Sequence, residues 1–498
     1  MLKWLPLVCV LACGEKPTVV ETSDTGPTST TPTTSTTVPG FEGLSISVDA
    51  CREATVRVTW TGAAGATSYV RYGSGDVLEG VTPSVTDDTS VDIVIRGLIN
   101  GETVRVQAVS ELTDGSLLEA PAQEVSLGFT PPNLQPLMID AEVTDPARSE
   151  VYGGHLLLST LGAGASYAAI MDASSGQYTW WLTVDDPNNE AVGRAHLSAD
   201  GQTVFWNDYD RERIDDIANV YGSDIDGCDT TTTRTLWGHH DFVELEDGKA
   251  GWLGFTYDEA LKVPGYGAIP VVADNIYEAS LGATKGEEVE VWNALTDWDC
   301  PVYWTGDAMD LGVFVPNYHE WTHANSLAYL EEDDAYFILM RYTNALVKVD
   351  RATGATVWTM GGPCGTVSNT AGDTPFWSYP HFSHAWREDG ALHVLIFDNG
   401  DEYTPRISRV VEYVIDEKTG AATEVWDYPH PEGSFMRILG DARRLSGGNT
   451  LIAWAPTGMV EEVTPEKERV WLATSNLGQT MGRVTPIGDL YDAKDSSL

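Results

Sequence analysis

Basic residues are scarce in this chain. Its 498 residues carry 29 Lys and Arg against 74 Asp and Glu, a formal net charge of -45 at pH 7. A surface that acidic repels phosphate backbones, which argues against nucleic acid as a partner. It repels anionic lipid as well, so membrane attachment requires a covalent or apolar device. No apolar run reaches the roughly 20 residues that cross a bilayer as a helix. The six cysteines include no CxxC pair, which removes the usual zinc and redox spacings. What the chain has in quantity is Gly (48), Pro (25) and Trp (17), with 42% hydrophobic residues. That composition predicts a real core built from many short strands and turns, an all-β protein.

The start of the chain reads as targeting sequence. Lys3 precedes the apolar run Trp4–Ala12, and Val10-Leu11-Ala12-Cys13 resembles a bacterial lipobox. Residues 1–13 are therefore expected to be a signal peptide with Cys13 as the acylated residue, anchoring an exported periplasmic or cell-surface protein by lipid alone. Residues 14–43 are rich in Thr, Ser and Pro and predict an extended stalk. Of the other cysteines, Cys9 lies in the signal, and Cys51, Cys228, Cys300 and Cys364 are free to pair in an oxidising compartment. Residues 44–130 predict a small β-sandwich, from alternating runs such as Val56–Trp60, Ser68–Tyr72 and Thr103–Val106. The core Trp60, "YVRYG" and "IRGLINGETVRVQAVS" resemble a fibronectin type III domain, with Val104 where that family places a Tyr.

Residues 135–498 carry an internal repeat. A polar Asp…Gly turn leads into an alternating strand and a Trp: Asp172…Gly176…Trp180, Asp350…Gly354…Trp358, Asp416…Gly420…Trp426, with weaker copies ending at Trp237, Trp292 and Trp471. A second element begins at Leu197, Leu245, Arg387 and Leu445 and places a Gly turn before a β-branched or aromatic run. The six Trp anchors are 57, 55, 66, 68 and 45 residues apart. Each interval holds a four-stranded sheet with its loops, so the expected architecture is a six-bladed β-propeller, closed by "GRVTPIGDLY" joining the first blade.

Only 10 His occur, and three groups of residues around them stand out. These are Gly238-His239-His240-Asp241, then Glu320-Trp321-Thr322-His323-Ala324-Asn325 with Arg341 following, then Phe382-Ser383-His384-Ala385-Trp386 followed by Phe397-Asp398-Asn399-Gly400. Each lies just before a Gly-turn strand of its own repeat, and equivalent positions on different blades converge at the propeller axis. Imidazoles from separate blades either ligate a metal such as zinc or, beside a permanent guanidinium cation, hold an oxyanion.

Together, "HHD", "EWTHANS…R" and "FSHAW…FDNG" resemble the bacterial arylsulfate sulfotransferase family. The resemblance implies a six-bladed propeller that moves a sulfuryl group from an aryl sulfate to a phenol without a nucleotide donor or other cofactor. By the same resemblance His384 accepts the sulfuryl group. His323, Arg341 and His240 complete the catalytic set, and Asn325 and His239 contact substrate. Trp321, Trp386 and Tyr379 are candidates to stack the aryl ring. Ser383 stands before His384 where the family has Gln. The implied partners are an aryl sulfate donor and a phenolic acceptor. Competing readings of the same chain are a non-catalytic lipoprotein that binds a protein or glycan, and a metal-dependent propeller hydrolase.

Overall fold

The computed structural model describes residues 38–49, 51–86, 89–131, 134–162, 165–184, 191–198, 200–209, 219–303, 317–475 and 480–491. The expected signal with Cys13, and the expected stalk up to residue 37, lie outside these.

Six antiparallel sheets follow one another along the chain, and we number them as blades. Blade I has Tyr178–Val184 outermost, then Ala165–Asp172, His155–Gly162 and, nearest the axis, Thr480–Ile487. The others run from the axis outward. Blade II is Ala191–Leu197, Thr203–Tyr209, Asn219–Asp224 and Thr230–Arg234. Blade III is His239–Leu245, Lys249–Val263, Gly267–Ser280 and Val289–Asn293. Blade IV is Ala324–Leu330, Ala335–Met340, Ala345–Asp350 and Thr356–Gly361. Blade V is Phe382–Glu388, Ala391–Asp398, Arg409–Asp416 and Ala421–Pro429. Blade VI is Asp441–Arg444, Thr450–Trp454, Met459–Val463 and Arg469–Ser475, with Leu137–Ile139 on its outer edge. Each innermost strand touches the next, and that of blade VI touches Thr480–Ile487 of blade I. The protein is thus a six-bladed propeller. The C-terminal strand pairs with His155–Gly162, so the two ends of the propeller share one sheet and the ring has no free inner edge.

The repeated Trp residues explain how the blades hold together. Trp180, Trp292, Trp358, Trp426 and Trp471 all lie on the fourth strand of their blade, counted from the axis. Each indole N–H donates to the following blade: to Ile225 O, Thr356 Oγ1, Glu417 Oε1, Pro465 O and Ala173 O respectively. A large ring fills the gap between two sheets, and its one polar atom is satisfied across that gap. Trp237 departs from the expected pattern. The outermost strand of blade II is Thr230–Arg234, without Trp, and Trp237 sits after it with φ of 53°, edge-on to Tyr257. The Asp…Gly turns join third and fourth strands. Asp172 Oδ1 and Asp350 Oδ1 each accept an amide three residues on. Gly176 and Gly354 have φ of 74° and 69°, and a Cβ there would meet Leu137 O at 2.0 Å and Val291 O at 2.2 Å. Only Gly fits such a position.

Ahead of the propeller, Glu42–Val48, Val56–Thr61 and Ser90–Ile95 form one sheet, and Thr67–Gly73 and Thr103–Glu111 with four short strands form the other. Phe41 is fully buried against Trp60, so the sandwich begins before residue 44 and takes up the end of the expected stalk. The Cys51–Cys228 disulfide ties the sandwich to blade II, and Cys300–Cys364 ties blade III's exit to blade IV's. Arg96 reinforces the seam, donating to both Asp226 carboxylate oxygens (2.7 and 2.6 Å) and to Leu490 O.

Candidate functional site

The innermost strands of blades III, IV and V all start at the same end of the channel, and the histidines cluster there. His240 and His323 both have left-handed backbone, φ 47° and 50°, a conformation that non-Gly residues hold only when the surroundings enforce it. Their ring centroids are 5.2 Å apart. His323 is held by the buried carboxylate of Glu320, 2.8 Å from Nδ1, and its ring packs on Tyr342 at 4.6 Å. The two Nδ1 atoms of His239 and His240 are 2.9 Å apart. Behind them His239 stacks on Phe255, and its Nε2 lies 3.1 Å from Asp274 Oδ1, close enough for attraction but not aligned for a hydrogen bond. Asp274 is itself fixed: its Oδ2 accepts the Ala324 amide (2.6 Å) and the Thr322 hydroxyl.

Arg341 follows the second strand of blade IV, and its amide donates to His323 O at 3.0 Å. Its guanidinium is buried, donates to Arg437 O (3.0 Å) and lies over the rings of Tyr342 and Tyr379. Asn325 donates Nδ2 to Pro380 O (3.2 Å), while its Oδ1 is buried without a hydrogen-bond partner. Its carbonyl accepts from Arg483 of blade I at 2.7 Å.

The third imidazole of the cluster is His381, not the expected His384. His381 directly precedes the innermost strand of blade V, as His323 precedes that of blade IV. Burial first, then the charges of Arg341, His323 and Arg483, hold its pKa well below the ordinary histidine value. His240 is likewise held well below it, by burial and then by His239, His323, His381 and Arg483. Both rings are therefore neutral at pH 7. His381 Nδ1 is 2.7 Å from Asn399 Oδ1. His384, three residues further into the strand, accepts the Arg444 amide at 3.3 Å and packs on Trp386. One turn of sequence arithmetic carried the signal: His323 to Arg341 and His381 to Asn399 both span 18 residues, whereas counting from His384 breaks that match.

The two Trp candidates do not reach the site. Trp321 is buried against Trp298 in the core shared by blades III and IV, and Trp386 is buried between His384 and His393. Tyr342 and Tyr379, beside Arg341, are the aromatics the fold places there. Further along, the innermost strands carry three guanidinium groups against two carboxylates. Arg194 pairs with Asp241 at 2.6 Å, Arg483 approaches the same carboxylate at 3.4 Å, and Arg443 faces Asp441 at 3.8 Å. Two guanidinium groups, Arg341 and Arg483, thus act on the imidazoles from opposite sides of the axis.

A propeller with this histidine–arginine cluster at its channel mouth fits a class that handles anions. The arylsulfotransferase (ASST) family model matches residues 141–481, and the chain belongs to that family. A curated relative, arylsulfate sulfotransferase AssT of Escherichia coli O6:H1 (strain CFT073), is 30% identical over 159 residues. That stretch covers 26% of this chain and 25% of the relative, so the match spans about a quarter of the relative's length. Among solved structures, one of a nidogen/laminin complex overlays with TM-score 0.40 at 9% identity, covering 67% of this chain and 97% of that one. Another, the Pseudomonas aeruginosa periplasmic gluconolactonase PpgL, overlays with TM-score 0.35 at 12% identity, covering 84% and 98%.

Proposed function

We propose that this protein transfers a sulfuryl group from an aryl sulfate ester to a phenol through a covalent intermediate on His381. The observation that carries the proposal is a neutral, buried imidazole facing a buried guanidinium. His381 supplies a lone pair that is not protonated away near neutral pH, and Arg341 supplies charge for the sulfuryl oxygens. The N–S bond forms as the S–O bond breaks, and the phenolate leaves with the bonding pair. His323, braced by Glu320, gives a proton to that phenolate and then takes the proton of the incoming phenol. The acceptor oxygen attacks the same sulfur and His381 departs unchanged, which is ping-pong chemistry. Arg341 and Asn325 hold the equatorial oxygens, each worth about 3 kcal/mol in the transition state. His240, whose pKa is lowered, is a neutral neighbour rather than the acid. Tyr342 and Tyr379 flank the aryl ring.

The metal-hydrolase alternative has less support. Among the described residues the ligand atoms of His240, His323 and His381 do not all lie within 4.8 Å of one another, and Arg341 stands where it repels a cation. Two disulfides support the export expected from the chain's start.

The test is incubation with 4-nitrophenyl sulfate, with and without phenol. Donor alone is expected to leave one SO3 on the peptide containing His381 and His384. His381→Ala is expected to abolish both labelling and nitrophenolate release, by about 10³-fold or more. His384→Ala should stay within about tenfold of the parent, since that ring packs rather than reacts. Labelling that survives His381→Ala and disappears with His384→Ala would return the nucleophile to His384.

A further inference from the structure

Asn399 occupies in blade V the place Arg341 occupies in blade IV, one residue past the second strand. Its amide orientation is determined by its neighbours. The Asn399 side-chain nitrogen is 2.7 Å from Met436 O and 3.0 Å from Leu439 O. Backbone carbonyls only accept, so the NH2 group faces them and the carbonyl oxygen faces His381. An oxygen 2.7 Å from Nδ1 requires that Nδ1 carry the proton. The ring is neutral, so Nε2 is left with the lone pair.

The same short segment also holds the cation. Arg437 O, between the two carbonyls that Asn399 reads, accepts from Arg341 Nη2. The segment is anchored in turn: Ser408 Oγ accepts the Met436 amide at 2.7 Å and lies 2.8 Å from Asn399 O. Leu439 has φ of 61°, and Gly440 packs where a Cβ would strike the Phe397 ring at 2.3 Å. Three carbonyls of one short backbone stretch, those of residues 436, 437 and 439, therefore orient imidazole and guanidinium together.

We propose that Asn399 is a positioning residue that sets the tautomer of His381, and that residues 436–439 are the frame aligning its Nε2 with Arg341. This rests on the reading of His381 as nucleophile. The charged and titratable groups facing His381 are Arg341 and His323 from blade IV, Arg483 from blade I and His240 from blade III. Asn399 Oδ1, 2.7 Å from Nδ1, is the acceptor that directs a proton to that nitrogen.

The experiment combines a spectrum with two variants of the full chain. In protein labelled with 15N-histidine, long-range proton–nitrogen correlations are expected to show His381, assigned by its loss in His381→Ala, as neutral with Nδ1 protonated. Asn399→Leu removes the acceptor, and single-turnover sulfation of the protein should slow about 10- to 100-fold with little change in donor binding. Asn399→Asp keeps an acceptor but sets a negative charge against the ring. It should move the acidic limb of kcat/KM upward by at least about one pH unit, a shift that a merely structural role would not produce. A His381 protonated at Nε2, or an unmoved acidic limb in Asn399→Asp, overturns this inference while leaving His381 as nucleophile. Sulfation persisting in His381→Ala overturns the underlying reading whatever the tautomer.

Discussion

Chemistry at the channel mouth turns on charges that have been taken out of water. Burial lowers the pKa of Arg341 somewhat, opposed by Tyr342 and Asp401, yet a guanidinium stays charged throughout the working range. A compact ammonium cannot reproduce its fork, since it would have to serve both Arg437 O and two sulfuryl oxygens from one point. Arg341→Lys is expected to lower kcat about 10²-fold with a smaller change in KM, measured in the nitrophenyl sulfate assay. On the proposed chemistry His381 reacts as the neutral ring, and burial with its charged neighbours lowers its pKa, so acid must go further to inactivate it. The acidic limb of kcat/KM is accordingly expected below about 6.5, the ordinary histidine value. A limb at or above that value would contradict the assigned environment.

At the scale of elements, the outer-strand Trp residues make a graded test of how blades adhere. Trp471 donates to Ala173 O in a fully buried contact, whereas Trp426 donates to Pro465 O at an exposed one. Replacing Trp471 by Phe strands a buried carbonyl, and the expected loss is about 1–3 kcal/mol on top of any packing cost. Trp426→Phe leaves its carbonyl to water and should cost about 0.5–1 kcal/mol. Denaturant unfolding of both variants measures the ranking. Equal losses would mean that ring packing, rather than the bridging hydrogen bond, is what matters between blades.

For the whole molecule two fields oppose each other. The chain is acidic overall at -45, while the axis holds Arg194, Arg341, Arg443 and Arg483. An anionic donor must cross the outer field before it meets the inner one, and salt screens the longer-ranged outer field first. kcat/KM for an aryl sulfate is expected to rise between about 10 and 150 mM salt, over which the screening length falls from about 30 to 8 Å. A flat or falling rate would show that the outer charge does not reach the channel. Acid stability follows from the histidines. His196, His240 and His381 all have folded pKa values well below the ordinary one, so below about pH 6.5 the unfolded chain binds protons that the native state refuses. Stability should fall as pH drops from 7 to 5, by up to about 1.4 kcal/mol per pH unit for each ring. Asp398, Glu461 and Glu462, raised by burial, act in the opposite sense nearer their own titration. Thermal melts across that pH range measure the slope.

Much of this protein was legible in one dimension. Strand alternation, Asp…Gly turns and the recurring Trp are local signals, each needed by every blade, and repetition made them readable. The ring and its closing strand followed from them, as did His240, His323 and Arg341 as residues that meet. Trp237 showed the limit of the repeat, because the gap between blades II and III is filled from the other side, by Trp252 of blade III, whose indole donates to Leu236 O. His381 and His384 lie three residues apart on one segment, and what surrounds each ring depends on where the strand enters the channel. The burial of Trp321 and Trp386 and the pairing of four cysteines were likewise decided by distances between parts of the chain remote in sequence. Sequence patterns specify which side chains a fold needs at regular intervals. Which of them ends up dry, charged or aimed at the axis depends on atoms brought from remote parts of the chain.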